Sequence, residues 1–277
     1  MSTIETAERL EGKGDYLGSL ELVLKVLENE PNNVRALELK ASLCIIKDRL
    51  PEAIRTYEKL LRFYESNDEV WKQLFVLRTT CSAYWRLKSS DKAISSCEKS
   101  IAICERFLKI DGPHKDSFIE EFFGMLWMLG EYQYKSGRYS CAVDTYKKML
   151  GLNLKFGCLE TIADTLYELA CAYHKLNDTA EALSKYSGAL KIYKPLEDKV
   201  YMFDYRSKVH YPIATIHFSA RDYKKTLFHV EKCVFYIEKV YEEINDSGDV
   251  EDDSMYKKAK RLQDSLKKNK FLWKKYK

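Results

Sequence analysis

Apolar and polar positions along this chain alternate with the three- and four-residue spacing of helices that bury one face. The clearest stretch, DTLYELACAYHKLNDTAEALSKYSGAL from Asp164 to Leu190, predicts two helices around a turn near Asn177-Asp178. A small residue sits on the first apolar stripe and another opens the second helix. The same arrangement is written six times. Aligned on the small residue that opens each second helix, the copies fall at Ser19, Ala53, Ala93, Ala142, Ala182 and Thr226. Four residues later stands a packing side chain: Val23, Tyr57, Cys97, Tyr146, Tyr186 and Val230. Twelve residues earlier, five of the first helices carry another small residue: Ala41, Cys81, Gly130, Ala170 and Ala214. Small residues at these places let two helices cross closely, and the side chain one turn further fills the groove that the crossing leaves.

Leu166-x2-Leu169-Ala170-x2-Tyr173 followed by Ala182-x3-Tyr186, and Leu126-x2-Leu129-Gly130 followed by Ala142-x3-Tyr146, resemble the tetratricopeptide repeat (TPR) pattern W-x2-L-G-x2-Y, then A-x3-F, then P. The first copy has a weak opening helix and a strong close, with Pro31 ending its second helix; the last, around His210 to Val234, is the most degraded. The resemblance extends to about Tyr241. It implies an all-α fold: a right-handed superhelical solenoid of about six helix-turn-helix repeats over residues 1–243, each too small to bury a core alone. Successive anchors stand 34, 40, 49, 40 and 44 residues apart. The intervals near forty are similar to the extended repeats of kinesin light chains and quorum-response regulators. The longest interval holds Lys109-Ile110-Asp111-Gly112-Pro113-His114, where glycine and proline break the helix and predict a hinge near 109–118.

Composition narrows the class. With 277 residues and 45% apolar content the chain buries a string of local cores. No apolar run approaches the roughly 20 residues of a membrane span, and the start, MSTIETAERLEGKGDY, lacks the apolar core of a signal peptide, so a soluble cytoplasmic protein is expected. The N-x-[ST] matches at Asn177 and Asn245 then carry no meaning. The eight cysteines include no C-x-x-C pair; Cys81, Cys97 and Cys233 fall on core stripes and read as reduced, inert, packed thiols. His229 and Cys233, one turn apart, offer two zinc ligands without a second pair nearby, and a packed pair is the preferred reading. No phosphate loop, H-E-x-x-H or serine elbow is present. Acidic side chains mostly alternate in sign with basic ones on helix faces, and nothing calls for a cofactor or metal. An enzyme is not expected.

The resemblance places the first helix of each repeat along a concave wall. Residues pointing into that wall would be Phe75, Arg78, Ser82, Trp85 and Arg86, then Trp127, Glu131, Tyr134 and Lys135, then Tyr167, Cys171, His174 and Lys175, then Tyr211, Thr215 and Phe218. Rings interleaved with cations suit a peptide segment or amphipathic helix of a protein partner, with Arg78, Arg86, Lys135 and Lys175 favouring acidic residues on it. Packing of some of these rings against neighbouring repeats is the competing reading. The lysine–asparagine clamp of chaperone-binding TPRs is missing: the matching places hold Ile4 and Glu8, then Glu38, Leu39 and Ser42.

Residues 244–254 read as an acidic linker. From Met255 to Lys277 ten lysines or arginines face one aspartate, about +9, which leaves about −5 for the rest of a +4 chain. Met255, Ala259, Leu262 and Leu266 recur at helical spacing, followed by Phe271, Leu272 and Trp273. This basic helix over 255–277 reads as a cap for the last repeat. The alternative is an amphipathic anchor for nucleic acid, an anionic membrane or an acidic partner through Lys257, Lys258, Lys260, Arg261, Lys267, Lys268 and Lys270. The function expected is thus a non-catalytic interaction scaffold or adaptor, with nucleic-acid association or self-assembly as alternatives.

Overall fold

Each first helix ends in the same turn. Gly14, Asp48, Lys88, Gly137, Asn177 and Arg221 all have positive φ, and each lies five residues before one of the six small anchors. In this left-handed conformation the chain turns back, and two successive N–H groups reach carbonyls the helix leaves unpaired. Lys88 N–H donates to the Trp85 carbonyl at 2.9 Å and Ser89 N–H to Tyr84 at 2.9 Å. Asn177 to His174 and Asp178 to Tyr173 repeat the arrangement at 3.1 and 3.0 Å. Four of the six turns use a residue with a Cβ, at a cost of roughly 1–2 kcal/mol each, so glycine alone does not mark them.

The computed structural model describes residues 2–109, 114–193, 200–243, 250 and 253–268. Among them are thirteen helices and no strand. They fall into two compact units, Met1–Arg138 and Tyr139–Lys277. The glycine and proline of the predicted break fall among residues 110–113, outside the described residues, as does most of the acidic linker; the two compact units meet in sequence between Arg138 and Tyr139, inside the fourth copy's turn.

The first unit holds α1 (Thr3–Gly12), α2 (Tyr16–Asn29), α3 (Val34–Ile46), α4 (Leu50–Ser66), α5 (Val70–Arg86), α6 (Ser90–Leu108) and α7 (Lys115–Lys135), each packed on the next. Starts are capped locally: Ser2 and Glu5 form a reciprocal capping box, and Asp15 and Asn33 accept from Gly18 and Ala36. The second unit holds α8 (Tyr139–Phe156), α9 (Leu159–Lys175), α10 (Thr179–Tyr193), α11 (Val200–Ser219), α12 (Tyr223–Glu243) and α13 (Ser254–Lys268).

All six anchors are 0% exposed, and none of the six packing residues exceeds 3%. Ala41, Cys81, Ala170 and Ala214 are equally sealed, and Gly130 is buried. The first copy, which showed no small crossing residue in sequence, uses Ala7, whose carbonyl accepts from Ser19 Oγ at 2.8 Å. In the first unit Leu37, Ala41, Cys44, Ala53, Tyr57, Leu60, Tyr64 and Val76 form one cluster. In the second, Tyr256 and Ala259 of α13 close over Cys233, Val234 and Ile237 of α12, with Tyr211 at the edge. The basic helix therefore packs its apolar side on the last repeat.

Candidate binding trough

One face of α5 is left open by its neighbours, and the sequence explains why. Val76, Thr80, Cys81 and Ala83 are buried against α4 and α6, which leaves Phe75, Arg78, Ser82 and Arg86 on the remaining stripe at three- and four-residue steps. Phe75 is 47% exposed, costly for a ring in water unless it serves a surface contact. It stands at the mouth of a 140 Å³ cavity floored by Tyr57, Leu60, Tyr64 and Val76 and edged by Glu38, Ser42 and Lys72. Further along α5, Arg78, Thr79, Ser82, Ala83 and Arg86 line a second recess of 350 Å³ with Ile45 and Met128. The two recesses follow one another along α5 inside the first unit, the first walled by α3 and α4 and the second by α3 and α7, and together they are called the α5 trough.

Its polar groups are paired but accessible. Lys72 Nζ lies 3.1 Å from Glu38 and 3.1 Å from Glu69, which together hold its ammonium above the usual lysine range. Tyr64 donates its hydroxyl to the same Glu38, and burial together with that carboxylate raises its pKa. Arg86 bonds Asp48 at 2.6 Å with both side chains at least half exposed, a pair worth about 0–1 kcal/mol. Arg78 approaches Glu121 at 3.9 Å. Burial nevertheless pushes the Glu121 carboxyl up against the opposing pull of Arg78, and its Oε1 accepts no hydrogen bond among the described residues. Such weakly held cations can exchange their present partners for carboxylates of a ligand.

The remaining expected groove residues divide by what covers them. Trp85 stacks on Tyr132 at 4.3 Å, so one face of its ring joins α5 to α7. Trp127 is 37% exposed on α7, and Glu131 and Lys135 on the same helix bond each other at 2.5 Å; Tyr134 is half-buried. In the second unit Tyr167 is half-buried, 6.0 Å from the Tyr186 ring. His174 is half-buried, and that burial lowers its pKa, helped by the exposed Lys175. Tyr211 packs at the α12–α13 cluster. Phe218, 38% exposed, meets Tyr223 edge-on. On α13, Lys257, Lys258, Arg261, Lys267 and Lys268 are exposed, while Lys260 lies over the Tyr256 ring and 3.5 Å from Glu238; Lys270 lies outside the described residues.

Sequence reasoning missed Lys72, Leu60 and Tyr64, and placed Tyr57 only as a packing residue and Glu38 only at the absent clamp, although all five shape the first recess. The signal was available: Lys72 precedes Phe75 by one turn, and Tyr57 and Tyr64 share a face of α4 two turns apart. His229 and Cys233 do not face one another as ligands. His229 bonds His210, and Cys233 lies in the α12–α13 cluster.

Paired helices repeated in phase, closed by one recurring turn, define a helical-repeat protein. Sequence models of the tetratricopeptide repeat match residues 4–68 and 165–200, so these two segments carry tetratricopeptide repeats. No curated protein sequence matches it. Among solved structures, the apo form of RapI aligns over 90% of this chain and 70% of its own at 13% identity and a TM-score of 0.64. The nearly identical TPR-like repeats described as a kinesin light chain from Podosopora anserina align over 71% and 95%, at 17% identity and a TM-score of 0.51. MamA aligns over 69% and 89%, at 18% and 0.50. At these identities the likeness concerns the fold. No helix among the described residues is long and apolar enough to cross a membrane.

Proposed function

We propose that this protein is a non-catalytic interaction scaffold that holds an extended peptide segment of a protein partner in the α5 trough. The observation that carries the reading is Phe75, an exposed ring over an apolar recess, followed along the same stripe by Arg78 and Arg86. A bound segment would place one apolar side chain against Tyr57, Leu60 and Phe75 and acidic residues beside the arginines. Affinity of an isolated peptide of this kind is typically micromolar, about −8 kcal/mol. The rings of the second unit and the cations of α13 are further candidate contacts of the same scaffold.

Peptide-display selection on the intact protein tests this. The expected consensus has one large apolar residue flanked by Asp or Glu, and Phe75→Ala and Arg78→Glu each weaken a selected peptide at least tenfold without lowering the melting temperature. Selected peptides that bind both variants as tightly as the parent would place the contact elsewhere.

A further inference from the structure

The crossing positions of the third repeat hold chemistry that the other repeats lack. The crossing residue and the packing residue are Ala41 and Tyr57 in the second copy, Gly130 and Tyr146 in the fourth, and Ala170 and Tyr186 in the fifth. In the third they are Cys81 on α5 and Cys97 on α6. Both are 0% exposed, and both are free thiols. The fold therefore brings two sulfurs from separate helices to the point where those helices cross most closely. Their Sγ atoms stand 2.7 Å apart, and Cys81 Sγ also donates to the Ala93 carbonyl at 3.3 Å. No atom fits between them. Closing this gap to the roughly 2.05 Å of a disulfide asks for a shift of well under an ångström.

We propose that Cys81 and Cys97 are a site of reversible oxidation that takes a peroxide as oxidant and forms a disulfide tying α5 to α6. In the first step one cysteine loses its proton, its thiolate attacks an oxygen of hydrogen peroxide, the O–O bond breaks, and a sulfenic acid and hydroxide result; the hydroxide takes up the released thiol proton as water. In the second the neighbouring thiol attacks the sulfenyl sulfur. The S–S bond forms, the S–O bond breaks, and the departing hydroxide takes the thiol proton as water. Two thiols lose two electrons and two protons, and one hydrogen peroxide becomes two waters.

The surroundings set the pace. The hydrogen bond with Cys81 and burial both push the Cys97 thiol up, so the reactive thiolate is scarce and the first step waits on opening of the α5–α6 crossing. The second step is intramolecular and already in place, which makes it fast. The same seal protects the finished disulfide from reductants. Oxidation is therefore slow to enter and slow to leave, and it fixes the helix that carries Phe75, Arg78, Ser82 and Arg86. This assignment does not depend on the trough binding a peptide.

The test uses the full-length protein, treated with hydrogen peroxide, alkylated in denaturant and digested with trypsin without reduction. The expected product joins residues 79–86 to residues 93–99 through Cys81 and Cys97, and disappears on reduction. The melting temperature of the oxidised protein should exceed that of the reduced protein by on the order of 5–10 °C, because the link constrains the unfolded chain. Cys97→Ala should lose both the linked peptide and the rise; Cys81→Ala serves the same purpose should the first variant fold poorly. Recovery of both cysteines as alkylated or sulfinic forms, unlinked, while the exposed Cys141 and Cys158 have reacted would overturn the assignment.

Discussion

His210 and His229 share a hydrogen bond between Nδ1 atoms 2.8 Å apart, so one ring donates and the other accepts. Burial, with the nearby charges of His229, Lys232 and Arg206, pushes His210 down to about 3. Burial with His217 and Lys225 pushes His229 down to about 4. His217, stacked on His229 at 5.8 Å, is lowered by burial and Lys225, while Asp222 pulls the other way. In the unfolded chain these imidazoles titrate near 6.5. Between about pH 6.5 and 4 the unfolded state thus binds more protons than the folded state, and folding stability falls as pH falls. It is fully present above pH 6.5. Urea titrations of the intact protein at pH 7.5, 6 and 4.5, followed by circular dichroism, should show a declining midpoint, and His210→Gln should flatten the decline. An unchanged midpoint across this window would mean that the pair is solvated.

Helices were legible where one residue type had one job. The anchors from Ser19 to Thr226 are small because two backbones meet there, and every one of them is sealed. The rings were harder. Phe75, Trp85 and Tyr211 carry the same apolar signal in sequence, yet Phe75 opens to solvent, Trp85 stacks on Tyr132 and Tyr211 packs at α13. What covers a ring comes from another helix, α7 for Trp85 and α12 with α13 for Tyr211, and a local period contains no information about it. The same holds for α13. Its apolar spacing predicted a helix, whereas the partner for its Tyr256 and Ala259 became visible only in the fold. Ending the chain at Asp253 should therefore uncover Cys233, Val234 and Ile237, lower the melting temperature and increase binding of an apolar dye. A truncated protein with unchanged melting and dye binding would show that the helix contributes nothing to the last repeat.

Among the described residues most contacts join helices that are neighbours in sequence, and each compact unit contains a buried cluster. Stability in such an array is close to a sum of repeat and neighbour terms, so loss of one repeat's cluster need not unfold every other repeat at once. The tryptophans offer a way to see this. Trp71, Trp85 and Trp127 all belong to the first unit, and the fourth, Trp273, can be removed as Trp273→Phe. In that variant tryptophan fluorescence reports on residues up to Arg138, while far-ultraviolet circular dichroism reports on helices of both units. The two probes should give different midpoints in urea, with an m-value per transition below that of a 277-residue cooperative globule. Peptide bound in the α5 trough should shift the fluorescence midpoint upward and leave the remaining dichroic transition in place. Coincident curves, moving together with ligand, would instead require coupling across the Arg138–Tyr139 boundary strong enough to make the repeats one cooperative unit.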